Sequence, residues 1–122
     1  MHDWQNLPNA PAPGTTLGLL AEVGDGGREF VFGQGLAAFR LFVIALPDGG
    51  VRAFVNRCPH YSLPLNVRPG QFLTRDGAHI MCRQHLALFD RESGVCRSGA
   101  AEGTTLPLVP VIVDAQGCIA IA

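Results

Sequence analysis

Long apolar runs are missing from this chain. The longest candidate, around Leu41 to Leu46, stops between Arg40 and Asp48, far short of the roughly 18 residues that a membrane-crossing helix requires. No membrane association is expected. Charge is sparse too: 16% of residues are charged, the formal net charge is −1 at pH 7, and basic runs are absent. A phosphate backbone finds no electrostatic footprint on such a chain, which argues against nucleic acid as a partner. The N-terminal residues lack the charged start and apolar stretch of a secretion signal and carry Pro8, Pro11 and Pro13 instead, so a cytoplasmic address is expected. Internal repeats are absent, and so are glycine clusters placed between a strand and a helix, which removes a phosphate-binding loop from consideration.

What the chain has is turn chemistry. With 15 Gly, 9 Pro and 48% hydrophobic residues in 122, it reads as one globular domain rich in turns. Short apolar runs end repeatedly in turn residues: Leu17 to Val23 in Gly24-Asp25-Gly26-Gly27, Phe30 to Phe32 in Gly33-Gln34-Gly35, and Phe39 to Leu46 in Pro47-Asp48-Gly49-Gly50. Val51 to Asn56 then alternates, completing a hairpin. Further runs follow at Ile80 to Cys82, Leu86 to Phe89, Leu106 to Val113 and Cys118 to Ile121. Strands spaced about 8 to 12 residues apart indicate an all-β antiparallel sandwich or small barrel. Pro107 and Pro110 suit an edge or bulged strand. The expected organisation is an N-terminal arm over residues 1–14 and one domain over 15–122. Phe39, Phe42, Phe54 and Phe89 are core candidates, and Trp4 is expected to pin the arm to the sandwich.

Chemistry concentrates in two short motifs, Cys58-Pro59-His60 and Cys82-Arg83-Gln84-His85. Each follows a predicted strand, so two loops projecting from one end of a rigid scaffold can close on a metal from opposite sides. Two thiolates and two imidazoles suit iron or zinc. Structural zinc sites usually keep like ligands together on one element, whereas here each loop mixes them; both metals stay open on this ground alone. Cys96, in the turn region after the second loop, and Cys118, at the start of the last strand, lack histidine partners and read as structural thiols. His79 reads as a solvent-facing strand residue, and His2 as part of the arm.

The motifs and their surroundings resemble the Rieske [2Fe-2S] family. The similarity runs through Ala53-Phe54-Val55-Asn56-Arg57-Cys58-Pro59-His60, Pro64-Leu65-Asn66, Ile80-Met81-Cys82-Arg83-Gln84-His85, Phe89-Asp90 and Gly94 to Ala100. It implies a [2Fe-2S] cluster, with Cys58 and Cys82 on an inner iron and His60 and His85 on an outer, more exposed one. It also implies an antiparallel β sandwich carrying a small cluster-binding subdomain at about residues 57–90. Where many members have glycine, this chain has Ser62 and Leu86. High-potential members add a disulfide and hydroxyl donors; here Leu63 and Gln84 hold the disulfide positions, and Ala87 and Phe89 those of the donors. Neutral imidazoles raise such a cluster into a window of roughly −150 to +300 mV, and hydrogen bonds to sulfur tune within it. A low position in that window is therefore expected.

The resemblance implies a ferredoxin-like one-electron carrier, not an enzyme, working between redox partners such as a flavoprotein reductase and an oxygenase or other oxidoreductase. A mononuclear oxygenase iron needs two more histidines and a carboxylate, and only His2 and His79 remain. Two other readings stand beside it: a small Rieske subunit resembling those of nitrite reductases, and a zinc-stabilised interaction module.

Overall fold

The computed structural model describes residues 4–57, 64–66, 68–83, 86–99 and 103–122. Among them are ten β-strands and three short 3-10 turns, with no α-helix. The strands form three antiparallel sheets. Strands β2 (Arg28–Phe32), β3 (Phe39–Ala45), β4 (Val51–Val55) and β8 (Leu108–Val109) lie in the order β2-β3-β4-β8. Strand β1 (Thr16–Leu19) joins β10 (Cys118–Ile121) and β9 (Val111–Val113) in the order β1-β10-β9. The third sheet, β5-β6-β7, consists of β5 (His79–Met81), β6 (Leu88–Asp90) and β7 (Cys96–Ser98).

The central pair β3–β4 explains why its sequence is almost continuously apolar. Successive side chains of a strand point to opposite faces, and here both faces are covered. Phe42, Ile44 and Phe54 join one core with Leu65, Phe72, Ile80, Cys82, Ala87, Phe89 and Leu106. Leu41, Val43, Ala53 and Val55 join the other with Val109, Ile119 and Ile121. The central sheet is thus a shared wall, with β5-β6-β7 on one side and β10 on the other. Phe42 stacks on Phe72 at 4.4 Å between ring centroids with an interplanar angle of 4°, tying the segment before β5 to the wall. Offset aromatic pairs of this kind add about 0.5–1.5 kcal/mol to the area they bury.

Sequence expectation and structure agree for the interior: Phe39, Phe42, Phe54 and Phe89 are fully or almost fully buried, and Trp4 packs against Phe39 at 5.9 Å. The two prolines also behave as their chemistry demands. Pro107 precedes β8, an edge strand of two residues, and Pro110 splits the expected Leu106 to Val113 run into β8 and β9. Two expectations are corrected. The Leu17 to Val23 run is strand only to Leu19, because Leu20–Glu22 closes a 3-10 turn in which Glu22 Oε1 accepts the Leu19 N–H. Cys96 is not in a turn; it opens β7, buried, opposite Phe89.

One close approach couples the β1–β2 turn to the segment leading into β5. The Phe72 N–H donates to Gly26 O at 3.1 Å, and a Cβ placed on Gly26 would lie 1.9 Å from Gly70 O. No side chain fits there without moving backbone. Gly26→Ala is expected to cost about 1–3 kcal/mol, the usual range for overpacking, measured as a lowered midpoint in urea unfolding.

Candidate metal centre

β4 delivers the chain to Asn56 and Arg57, directly before the first motif, and β5 delivers it to Cys82, the first residue of the second. Of the four candidate ligands, Cys82 lies within the described residues; Cys58, His60 and His85 lie outside them, as do His2, Leu63 and Gln84. Cys82 is completely buried. That loop is closed by two backbone hydrogen bonds: the Cys82 N–H donates to Ala87 O at 2.9 Å, and the Leu86 N–H donates to Cys82 O at 2.7 Å. Chain reversal over so few residues forces Leu86 into a left-handed conformation, φ 61°, a region that L-residues other than glycine and asparagine rarely occupy. Its side chain is 65% exposed.

The base of the first loop is held by a buried amide. Asn56 is the one buried polar residue among those described. Its Oδ1 accepts the Leu65 N–H at 2.8 Å, and its Nδ2 donates to Asn66 Oδ1 at 3.0 Å and to Glu29 Oε2 at 2.5 Å. The two ends of the segment that contains Cys58 and His60 are thereby pinned to each other. The second loop is then pinned to the first, since the Arg83 N–H donates to Leu65 O at 2.7 Å. Arg83 Nη2 reaches Leu73 O at 3.1 Å, while its Nε is buried without a hydrogen-bond partner. A buried thiol beside a loop whose ends are fixed by this hydrogen-bond junction fits a cluster held by thiolates and imidazoles. Among the described residues no group of three metal-ligating side chains forms a separate centre.

Sequence reasoning singled out the candidate ligand motifs but gave Asn56 no task beyond its place in a motif. The available signal was a polar residue ending a strand whose other residues are apolar, because a buried amide has to be hydrogen-bonded. Other polar groups nearby serve turns. Thr74 Oγ1 and the Ala78 N–H hold the Asp76 carboxyl below its ordinary range, and Ser93 does the same to Asp90 through its hydroxyl and N–H. Both stay ionised at neutral pH, unsuited to donating protons. His79, expected to face solvent, is half-buried on β5 opposite Asp90.

The family model for the Rieske [2Fe-2S] domain matches residues 19–111, which makes this an iron–sulfur protein. The chain belongs to that family, and its cofactor is the [2Fe-2S] cluster. Among solved structures it is similar to the ferredoxin of carbazole 1,9a-dioxygenase from Nocardioides aromaticivorans IC177, with TM-score 0.68, 20% identity, and coverage of 91% of this chain and 98% of that one. A Sphingomonas yanoikuyae B1 ferredoxin matches with TM-score 0.65 and 25% identity over 88% of this chain and 96% of that one. A structure of the reduced complex between oxygenase and ferredoxin in carbazole 1,9a-dioxygenase matches with TM-score 0.67 and 22% identity; the match covers 97% of this chain and 29% of that one. A search of curated proteins found no match.

Two substitutions probe this junction. Asn56→Ala strands the Leu65 N–H in the interior and is expected to lower stability by about 1–3 kcal/mol, the cost of an unpaired buried donor, read by chemical unfolding. Leu86→Gly acts in the opposite direction. It removes a left-handed strain of roughly 1–2 kcal/mol against a backbone-entropy cost of about 0.5–1 kcal/mol, so a small rise in thermal midpoint is expected.

Proposed function

We propose that this protein is a low-potential one-electron carrier serving an oxygenase or another oxidoreductase, its cluster held by Cys58 and Cys82 on the inner iron and His60 and His85 on the outer. The cluster-binding subdomain spans about residues 57–90, after an N-terminal arm at 1–14. The observation that carries the reading is the burial of Cys82 in a loop that Arg83 fastens to Leu65, the far end of the segment containing Cys58 and His60. The Cys82 thiol, completely buried, sits away from water. The cluster, when bound, supplies one-electron chemistry; the chain's residues supply rigidity, so little reorganisation accompanies charge transfer. Asn56 and Leu65 fix one loop and Cys82 to Ala87 fix the other.

The low potential follows from what the interior lacks. Ala87 and Phe89 are both completely buried and neither has a hydroxyl, so neither stabilises the extra negative charge of the reduced state by donating to sulfur. The likeness to the ferredoxin of carbazole 1,9a-dioxygenase supports an oxygenase as the acceptor; a flavoprotein reductase is the donor in this proposal. A cytoplasmic address belongs to the same proposal. No helix among the described residues is long and apolar enough to cross a membrane.

Electron paramagnetic resonance of the dithionite-reduced protein is the test. Mixed nitrogen and sulfur ligation lowers the average g value relative to an all-thiolate cluster, and about two irons and two acid-labile sulfides should accompany it. His60→Ala and His85→Ala are expected to abolish assembly, and Cys118→Ala to leave it intact. An all-thiolate signal rejects the ligand assignment. A midpoint above about +100 mV, in the upper part of the Rieske window, rejects the low-potential assignment.

A further inference from the structure

Glu29 belongs to β2, far along the chain from either ligand motif, yet its carboxylate meets Asn56. Glu29 pairs with Phe42 on β3, Phe42 pairs with Phe54 on β4, and Arg40 and Asn56 continue the same face two positions on, joined by the Asn56 N–H to Arg40 O bond at 2.8 Å. Side chains two apart on a strand share a face. Glu29, Arg40 and Asn56 are thus the polar end of a surface whose apolar part, Phe42 and Phe54, belongs to the core with Leu65 and Cys82. The Glu29 side chain is only 20% exposed. Its two carboxylate oxygens lie 3.2 and 3.3 Å from Arg40 Nη1, and Oε2 also accepts from Asn56 Nδ2 at 2.5 Å. Glu22 and Asp25 line the cleft beside it, but Glu22 is engaged by Arg28 at 3.4 Å and by the Leu19 N–H. Among the described residues Glu29 is the only acid bonded to Asn56.

An asparagine amide fits its surroundings in either of two orientations that exchange its oxygen and its NH2 group, and the neighbours decide between them. The Leu65 N–H can only donate, and a carboxylate can only accept. Asn66 decides nothing by itself, because its own amide can turn; here its Oδ1 accepts from Asn56 and its Nδ2 donates to Arg68 O at 3.1 Å. Turned over, the Asn56 amide would set its oxygen against Glu29 and its NH2 against the Leu65 N–H, two mismatched pairs at once. Glu29 therefore favours the one orientation that leaves Oδ1 on Leu65. Its bond to Asn56 is charge-assisted, roughly twice as strong as a neutral one, and Arg40 holds the carboxylate from the other side. The bonds run on without a break from Glu29 to Asn56, from Asn56 to Leu65 and from Leu65 to Arg83.

Resting on the carrier reading above, we infer that Glu29 is a positioning residue for the cluster: its carboxylate orients the Asn56 amide and, through Leu65 and Arg83, sets how firmly the two ligand loops hold the iron. The test reverses the polarity of one hydrogen bond. Asn56→Asp replaces the donor facing Glu29 by a carboxylate oxygen and keeps an acceptor for Leu65; Glu29→Gln added to it supplies a donor where the acceptor was. Two readouts apply: release of iron from the reduced protein to a ferrous chelator, followed as loss of visible absorbance, and hydrogen exchange by mass spectrometry over the peptide containing Leu65. Asn56→Asp is expected to release iron about tenfold faster and to lose protection at Leu65, and the double variant to recover most of both. Glu29→Gln alone should give a smaller acceleration. Asp25→Asn, which removes a charge from the same cleft without touching Asn56, should change neither readout. Iron release as fast in the double variant as in Asn56→Asp overturns the inference, since a side chain that merely fills space cannot be rescued by reversing donor and acceptor. Should Asn56→Asp fail to fold, Glu29→Gln against Asp25→Asn carries the comparison, and equal rates for those two overturn it as well. Failure of the carrier reading looks different: the parent protein is then colourless before any chelator is added, while hydrogen exchange still reads the Glu29–Asn56 bond.

Discussion

The arrangement turns on one buried hydrogen-bonded junction, in which Asn56 closes the first loop on itself through Leu65 and Leu65 accepts the N–H of Arg83 from the second loop. Two loops from different strands can present ligands to one cluster only if their separation is fixed, and backbone hydrogen bonds shielded from water fix it better than exposed ones. The side chain of Asn56 suits this place because it both accepts and donates. Its Oδ1 satisfies Leu65 while its Nδ2 satisfies Asn66 and Glu29; the carboxylate of an aspartate would meet Glu29 with like charge.

Beneath the junction lies a wall with two buried faces. β3 and β4 separate the core that supports the ligand loops from the core shared with β10. This division insulates the site from the rest of the molecule: Phe72, Ile80 and Phe89 pack against Phe42 and Phe54 whatever happens on the other face. The close contact of Gly26 with Gly70 adds a second attachment of the loop segment to the sandwich. Rigidity of this kind is what a carrier needs, since an electron arriving and leaving should move few atoms.

Local chemistry announced much of this. Turn residues after each apolar run gave most strands to within a residue or two, and Pro110 marked the break between β8 and β9. The ligand motifs stood out because cysteine and histidine are rare and were paired at short spacing. Cys96 was misplaced since the strand it opens has three residues, with exposed Arg97 and Ser98 after it, too short and too polar to show a period of two. Leu20–Glu22 was misread for the converse reason: an apolar run looks like strand, but the Glu22 side chain competes for the Leu19 N–H and turns the chain.

The sequence by itself determined the class of metal chemistry, the antiparallel β character and the aromatic interior, because ligand identity, turn propensity and hydrophobicity are properties of residues and their near neighbours. Only the tertiary structure decided that Asn56 is the latch and that Arg83 reaches Leu65. Those relations join residues separated along the chain. A hydrogen bond depends on distance through space, which folding sets and no local pattern encodes.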